Sequence, residues 1–164
     1  MTDKIVPCIW YDLGQAGAAA EFYVSLGLPD SRIDKVQLSP ADNPSSPEGV
    51  ELVVQFTLAG RPYVGLNGGP NFPQTEAVSF MILTDDQSET DRLWNAIVGN
   101  GGQESMCGWC KDRWGVSWQI TPRRLMQFHD DPNPARARAA FQAMMGMKKI
   151  DIAALEAAAD AAGE

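Results

Sequence analysis

Residues 107–120, running from Cys107 to Ile120 as CGWCKDRWGVSWQI, carry charge, a turn glycine and two strand-like faces in one short stretch. From Gly115 onward, apolar Val116, Trp118 and Ile120 alternate with Ser117, Gln119 and Thr121. That is the period of a strand with one buried face and one face lined by small polar groups. The stretch reads as a hairpin, and Gln119 points away from the core.

Working outward, period-two and helical patterns alternate along the chain. Lys4 to Tyr11 reads as a strand and Gly14 to Leu26 as an Ala-rich helix closed by Gly27 and Pro29. Ser31 to Leu38 is a second strand. SPADNPSSPEG, residues 39–49, then forms a surface loop with too little apolar content to pack, expected to be the most mobile internal segment. Val50, Leu52, Val54, Phe56 and Leu58 mark one face of the next strand, Ala59-Gly60 its turn, and Arg61 to Asn67 the return. Glu76 to Leu83 restarts the pattern. A helix follows from Asp86 to Asn100, with Asp86 and Glu89 at capping-box spacing and Leu93, Trp94 and Ile97 as its apolar face. Gln103 to Trp109, Lys111 to Trp114 and Gly115 to Thr121 supply up to three further strands. In the tail, Thr121-Pro122 and Asp131-Pro132 each place a capping residue before a proline, with helices over Arg136 to Met147 and Asp151 to Ala162. Met144, Met145 and Met147 are expected to fill gaps between helices.

Bulk composition excludes several classes. Thirteen Lys and Arg against twenty-one Asp and Glu give a formal charge of −8, which repels phosphate backbones and argues against a nucleic-acid partner. No apolar run approaches the roughly 18 residues that span a bilayer, so no membrane role is expected. The start, MTDKIVPCIW, has no basic region ahead of an apolar signal core, and three cysteines make an odd count; both point to reduced thiols and a cytoplasmic location.

PCIWYD, EFYVSLGLPDSRI, LAGRPYVGLNGGPNF, TDRLWNAIVGNGG, CGWCKDRWGVSWQITPR and MMGMKKIDIAALE together resemble the PhnB-like branch of the vicinal-oxygen-chelate superfamily, the glyoxalase and bleomycin-resistance fold. The most specific elements are Asp112-x-x-Gly115-x-x-Trp118-Gln119-Ile120 and the MKKIDIAALE ending. The resemblance implies an α+β protein of two βαβββ modules, at about 1–70 and 74–122, forming a curved eight-stranded cup. Helices over about 122–164 follow, within a single domain that is usually a homodimer. Proteins similar to this one often carry the label 3-demethylubiquinone-9 3-methyltransferase. The residues do not favour that activity, because a nucleotide-fold methyltransferase places its glycine-rich turn between a strand and a helix, whereas Gly99, Gly101 and Gly102 follow a helix.

Metal-using members of the superfamily draw His or Glu ligands from four strands. Alternation here aims Cys8, Trp10, Tyr63, Asn67, Ser79, Ser117 and Gln119 at one concave face, and none is His, Asp or Glu. Gln119 stands where a metal-using relative usually has Glu, and an uncharged amide is a weak ligand for a hard cation. No metal and no cofactor are therefore expected. These seven residues are the candidate ligand-binding set, with Trp10 and Tyr63 as apolar walls. His129, the sole histidine, lies outside the strands as a solvated helix-end residue, and Cys107-x-x-Cys110 borders a hairpin rather than the helix N-terminus that activates a dithiol.

The reading is a PhnB-like protein that binds a small, partly apolar molecule in its cup without a catalytic metal; no reaction is assigned. One alternative is a metal-dependent lyase, isomerase or dioxygenase using Cys8, Asn67, Ser79 or Gln119. Another is a non-catalytic assembly or regulatory protein whose cup is filled by its own tail.

Overall fold

A computed structural model describes residues 3–163. The chain divides into two compact units, one ending at Gln74 and the other starting at Thr75.

The first unit contains β1 (Cys8–Tyr11), α1 (Ala16–Ser25), β2 (Arg32–Leu38), β3 (Glu51–Leu58) and β4 (Arg61–Asn67), in a sheet ordered β1-β4-β3-β2. β1 runs parallel to β4, and the other pairs are antiparallel. Val54, Phe56 and Leu58 are buried, as the period-two pattern requires, along with Ala16, Ala19, Ala20 and Tyr23 of α1. Phe56 stacks on Tyr63 at 5.5 Å and lies 6.0 Å from Tyr23, so one face of this sheet is the face that α1 covers. Ala59 and Gly60 both adopt positive φ, 47° and 75°, which suits the tight β3–β4 turn.

The loop at residues 39–49 carries polar bonds of its own. The Asn43 side chain donates to the Ser39 and Ser46 hydroxyls and accepts the Ser45 and Ser46 amides, while Ser45 Oγ donates to the Gly68 carbonyl. An Asn that bonds its own loop replaces the apolar packing the segment lacks.

The second unit repeats the topology with β5 (Ser79–Thr84), α2 (Gln87–Gly99), β6 (Gln103–Glu104), β7 (Trp109–Lys111) and β8 (Ser117–Pro122), ordered β5-β8-β7-β6 with β5 parallel to β8. Asp86 caps α2 by accepting the Glu89 amide at 2.8 Å, and Glu89 Oε2 accepts the Asp85 amide, close to the capping box read from the sequence. Leu93, Trp94 and Ile97 of α2 are buried with Trp118 and Ile120 of β8.

Three helices follow: α3 (Arg123–His129), α4 (Pro134–Met145) and α5 (Ile152–Gly163). The cap of α4 is Asn133, whose Oδ1 accepts the Ala135 amide, rather than Asp131. Thr121 and Pro122 remain in β8, and Pro122 is the N-cap of α3, so the proline stands one place ahead of the first helical position rather than on it, and Thr121 is not the cap. Leu125, Phe128, Ala140, Met144, Ile150, Leu155 and Ala159 form the tail's core, with Met147 packed against it, whereas Met145 is exposed. Met144 is thus buried among its own helices. Gln87 of α2 fastens this tail by donating to the Ile150 carbonyl and accepting the Ile152 amide. The Cys107 and Gly108 amides donate to the Met147 and Lys148 carbonyls.

Candidate functional site

In the first unit the strand register corrects one expectation. Cys8 pairs with Val64 and Trp10 with Leu66, while Tyr11 pairs with Asn67 and Phe56 with Tyr63. Paired residues share a sheet face, so Tyr63 and Asn67 lie on the α1 side and do not join Cys8 and Trp10. Tyr63 is stacked on Phe56.

Asn67 is fully buried and engaged at both ends of its amide. Its Oδ1 accepts the Ala16 amide at 2.8 Å, and its Nδ2 donates to the Glu51 carbonyl and to Glu51 Oε1. Glu51 Oε1 also accepts the Gly17 amide at 3.0 Å. Two strand side chains thus satisfy the opening N–H groups of α1, which have no partners within the helix. The Glu51 carboxylate also sits where the helix dipole favours negative charge. Trp10, half-buried on the other face, is covered by its own downstream loop: its Nε1 donates to the Gly69 carbonyl at 2.7 Å and its ring meets Phe72 edge-on at 4.9 Å. A Cβ at Gly68 would stand 2.2 Å from the indole, so only glycine fits beneath it. Cys8 on this face is exposed.

The second unit brings its predicted residues together. Ser79 pairs with Ser117, and Met81 pairs with Gln119 across the parallel β5–β8 ladder. Trp109 and Lys111 of β7 pair with Gln119 and Ser117 from the other side. Gln119 Nε2 donates to Ser79 Oγ at 2.8 Å. Trp118 and Ile120 are buried on the opposite face, whereas Met81 and Leu83 are 47% and 39% exposed. This open face therefore combines hydroxyl, amide, thioether and indole groups.

One turn sets that face. Asp112 is buried; its Oδ1 accepts the Trp114 and Val116 amides and its Oδ2 accepts Trp118 Nε1 at 2.9 Å. With Gly115 at φ 84° and its amide bonded to the Asp112 carbonyl, the Asp-x-x-Gly spacing forms an Asx turn that locks Trp118 inward and so sets Ser117 and Gln119 on the opposite face. In the sequence, the spacing of Asp112 to Gly115 is the signal that marks this turn.

A cavity of about 120 Å³ opens beside Ser117, lined in part by Glu76, Gln103, Trp109 and Lys111. None of these four was named from the sequence as a site residue. Lys111 Nζ lies 2.5 Å from Glu76 Oε1, and that hydrogen bond holds the Glu76 carboxyl below its ordinary pKa. On the other sheet face, burial and then the Asp112 charge push the Cys110 thiol up to about 12, the reverse of an activated dithiol. His129 is the exposed last residue of α3, near Phe141.

The residues present do not fit the superfamily's divalent metal. Gln119 is uncharged and its amide nitrogen is turned to Ser79. Among the described residues, no three His, Cys, Asp or Glu side chains come together in a group that could hold an ion. A Cβ at Gly102 would stand 2.4 Å from the Ile97 and Lys111 carbonyl oxygens, so that glycine serves backbone packing after α2.

Two βαβββ modules, each with its sheet ordered first, last, third and second strand, make the α+β architecture that the resemblance to the glyoxalase fold implies. The chain belongs to the 3-demethylubiquinone-9 3-methyltransferase family, whose model matches residues 3–121. It is 27% identical to a putative 3-demethylubiquinone-9 3-methyltransferase, the PhnB protein from Bacillus cereus, with a TM-score of 0.64 over 73% of this chain and 99% of that one. A Pseudomonas aeruginosa protein shares the fold at 20% identity and a TM-score of 0.56, covering 74% of this chain and 98% of its own. No curated protein matches the chain. The family match stops at Thr121, just before α3.

Proposed function

We propose that this PhnB-like protein binds a small, partly apolar molecule without a catalytic metal, on the open face of the second module's sheet. The observation that carries this reading is the Gln119–Ser79 hydrogen bond set between exposed Met81 and the Trp109 strand position. A few oriented polar groups on an apolar wall are what a small organic ligand requires. The candidates in the first unit are weaker: Asn67 is consumed in holding α1, and the Trp10 indole nitrogen is bonded to its own loop. Methyl transfer, the activity in the family's description, has no support from the glycines after α2.

A cytoplasmic homodimer is part of the same proposal. Three free thiols suit a reducing compartment. The edge strand β2 exposes Ile33, Val36 and Leu38, apolar surface that a second copy would bury. Light scattering on a sizing column tests the dimer. Among the described residues no helix is long and apolar enough to cross a membrane.

The reading is tested by elemental analysis of protein purified without tag or chelator, followed by a thermal-shift screen of metal-stripped protein. The expected result is metal far below one equivalent and a ligand-dependent rise in Tm. About one zinc, nickel, manganese or iron per chain, required for any ligand to act, overturns it.

A further inference from the structure

We propose that the cavity beside Ser117 is a built subsite for a small uncharged molecule bearing a carbonyl or hydroxyl oxygen, and that it forms the polar end of the ligand site proposed above, on which reading it rests. Ser117 is 1% exposed, and its Oγ is the single buried side-chain nitrogen or oxygen among the described residues that has no hydrogen-bond partner. A buried hydroxyl loses its water and ordinarily gains a protein partner in exchange. Here the residue that carries it lines a cavity.

The cavity's size and charges define the occupant. About 120 Å³ is room for roughly four waters at about 30 Å³ each, hence for a ligand portion of about four to six heavy atoms. The charged groups of the lining are already paired: Lys111 with Glu76 at 2.5 Å, and Glu104 with Lys148 at 2.8 Å. A carboxylate would stand beside the Glu76 carboxylate that Lys111 already neutralises and near a second carboxylate at Glu104. A neutral oxygen meets no such opposition. It can accept from Ser117 Oγ and from a further N–H of the Lys111 ammonium, which carries three donors. Trp109, on the same sheet face, supplies an apolar wall for the carbon skeleton.

The test is a residue-resolved NMR titration of the full chain with two isosteric probes, propionamide and propionate. Propionamide is expected to shift the Ser117 and Lys111 amides and the Trp109 indole in a saturable way, with propionate at least ten-fold weaker. Ser117→Ala should weaken propionamide by about three- to ten-fold, the net worth of one hydrogen bond, while leaving the dispersion of the spectrum intact. Glu76→Gln, which frees Lys111, should raise the affinity for propionate relative to propionamide. Propionate binding as well as propionamide to the wild type overturns the uncharged class. Silence at all three residues with both probes means the cavity holds ordered water only and overturns the subsite. Shifts confined to Ser79, Met81 and Gln119 overturn the cavity assignment while leaving the broader ligand reading in place, which the thermal-shift screen judges separately.

Discussion

The Asn67 carboxamide oxygen accepts the Ala16 amide at 2.8 Å, so the last residue of β4 holds the first residue of α1. Its nitrogen is spent on Glu51, which in turn holds the Gly17 amide. A residue that sequence alternation offered to a ligand is the capping group of the first module's helix.

Asn67→Ala is therefore expected to lower the unfolding free energy by about 2–3 kcal/mol, because it strands a buried N–H and removes two partners from Glu51. Urea denaturation measures this. A change within about 0.5 kcal/mol, the range of a neutral surface substitution, would show that the network is dispensable.

The Asp112 turn makes a second claim. Asp112→Ala removes the acceptor of two turn amides and of the Trp118 indole, an expected loss of about 3–4 kcal/mol. Asp112→Asn keeps an acceptor for the turn but sets an amide N–H against Trp118 Nε1, and should lose about 1–2 kcal/mol. Equal effects from the two variants would mean that the two turn bonds contribute nothing, and an Asp112→Asn variant as stable as the wild type would mean that the indole bond contributes nothing.

Cys110 gives a prediction in pH. Its thiol is raised in the folded state from 9.0 to about 12, so between those values the folded chain binds more of this proton than the unfolded chain. Its contribution to stability is thus complete below about pH 9 and is lost as pH rises toward 12. Wild type minus Cys110→Ala should show a stability difference that shrinks over that window. A thiol reagent at pH 8 should modify exposed Cys8 and spare buried Cys110 until the protein unfolds. Rapid native-state labelling of Cys110 would contradict the burial argument.

The tail should be integral to its unit. Leu155→Ala opens a void in the tail's fully buried core and should cost about 3 kcal/mol. Gln87→Ala, which breaks both bonds to the residues leading into α5, should cost about 1–2 kcal/mol. Loss of tail helicity in either variant with the β5–β8 amides unchanged in hydrogen exchange would show the tail to be an independent appendage.

The sequence was most legible where one residue's period reports its face. Val54, Phe56 and Leu58 were readable as core, and Val116, Trp118 and Ile120 as the inward side that leaves Gln119 outward. It was least legible where a long-range register decides. Whether Tyr63 or Val64 shares a face with Trp10 depends on the parallel β1–β4 pairing, which no local pattern encodes. Polar chemistry hid two more features. Asn43 holds a loop whose composition reads as mobile, and Asn133 rather than Asp131 caps α4 because either could serve. The Ser117 cavity depends on Glu76 reaching Lys111 from ahead of β5, a contact that alternation within strands cannot reveal.

Methionine-methyl NMR on metal-stripped protein tests the ligand face most directly. Met81 pairs with Gln119 on that face and Met144 lies inside the tail core. Ligands that raise Tm should shift the Met81 methyl in proportion to occupancy and leave Met144 in place. Ligands that stabilise the protein while moving only Met144, or that bind only after a divalent metal is restored, would contradict the account.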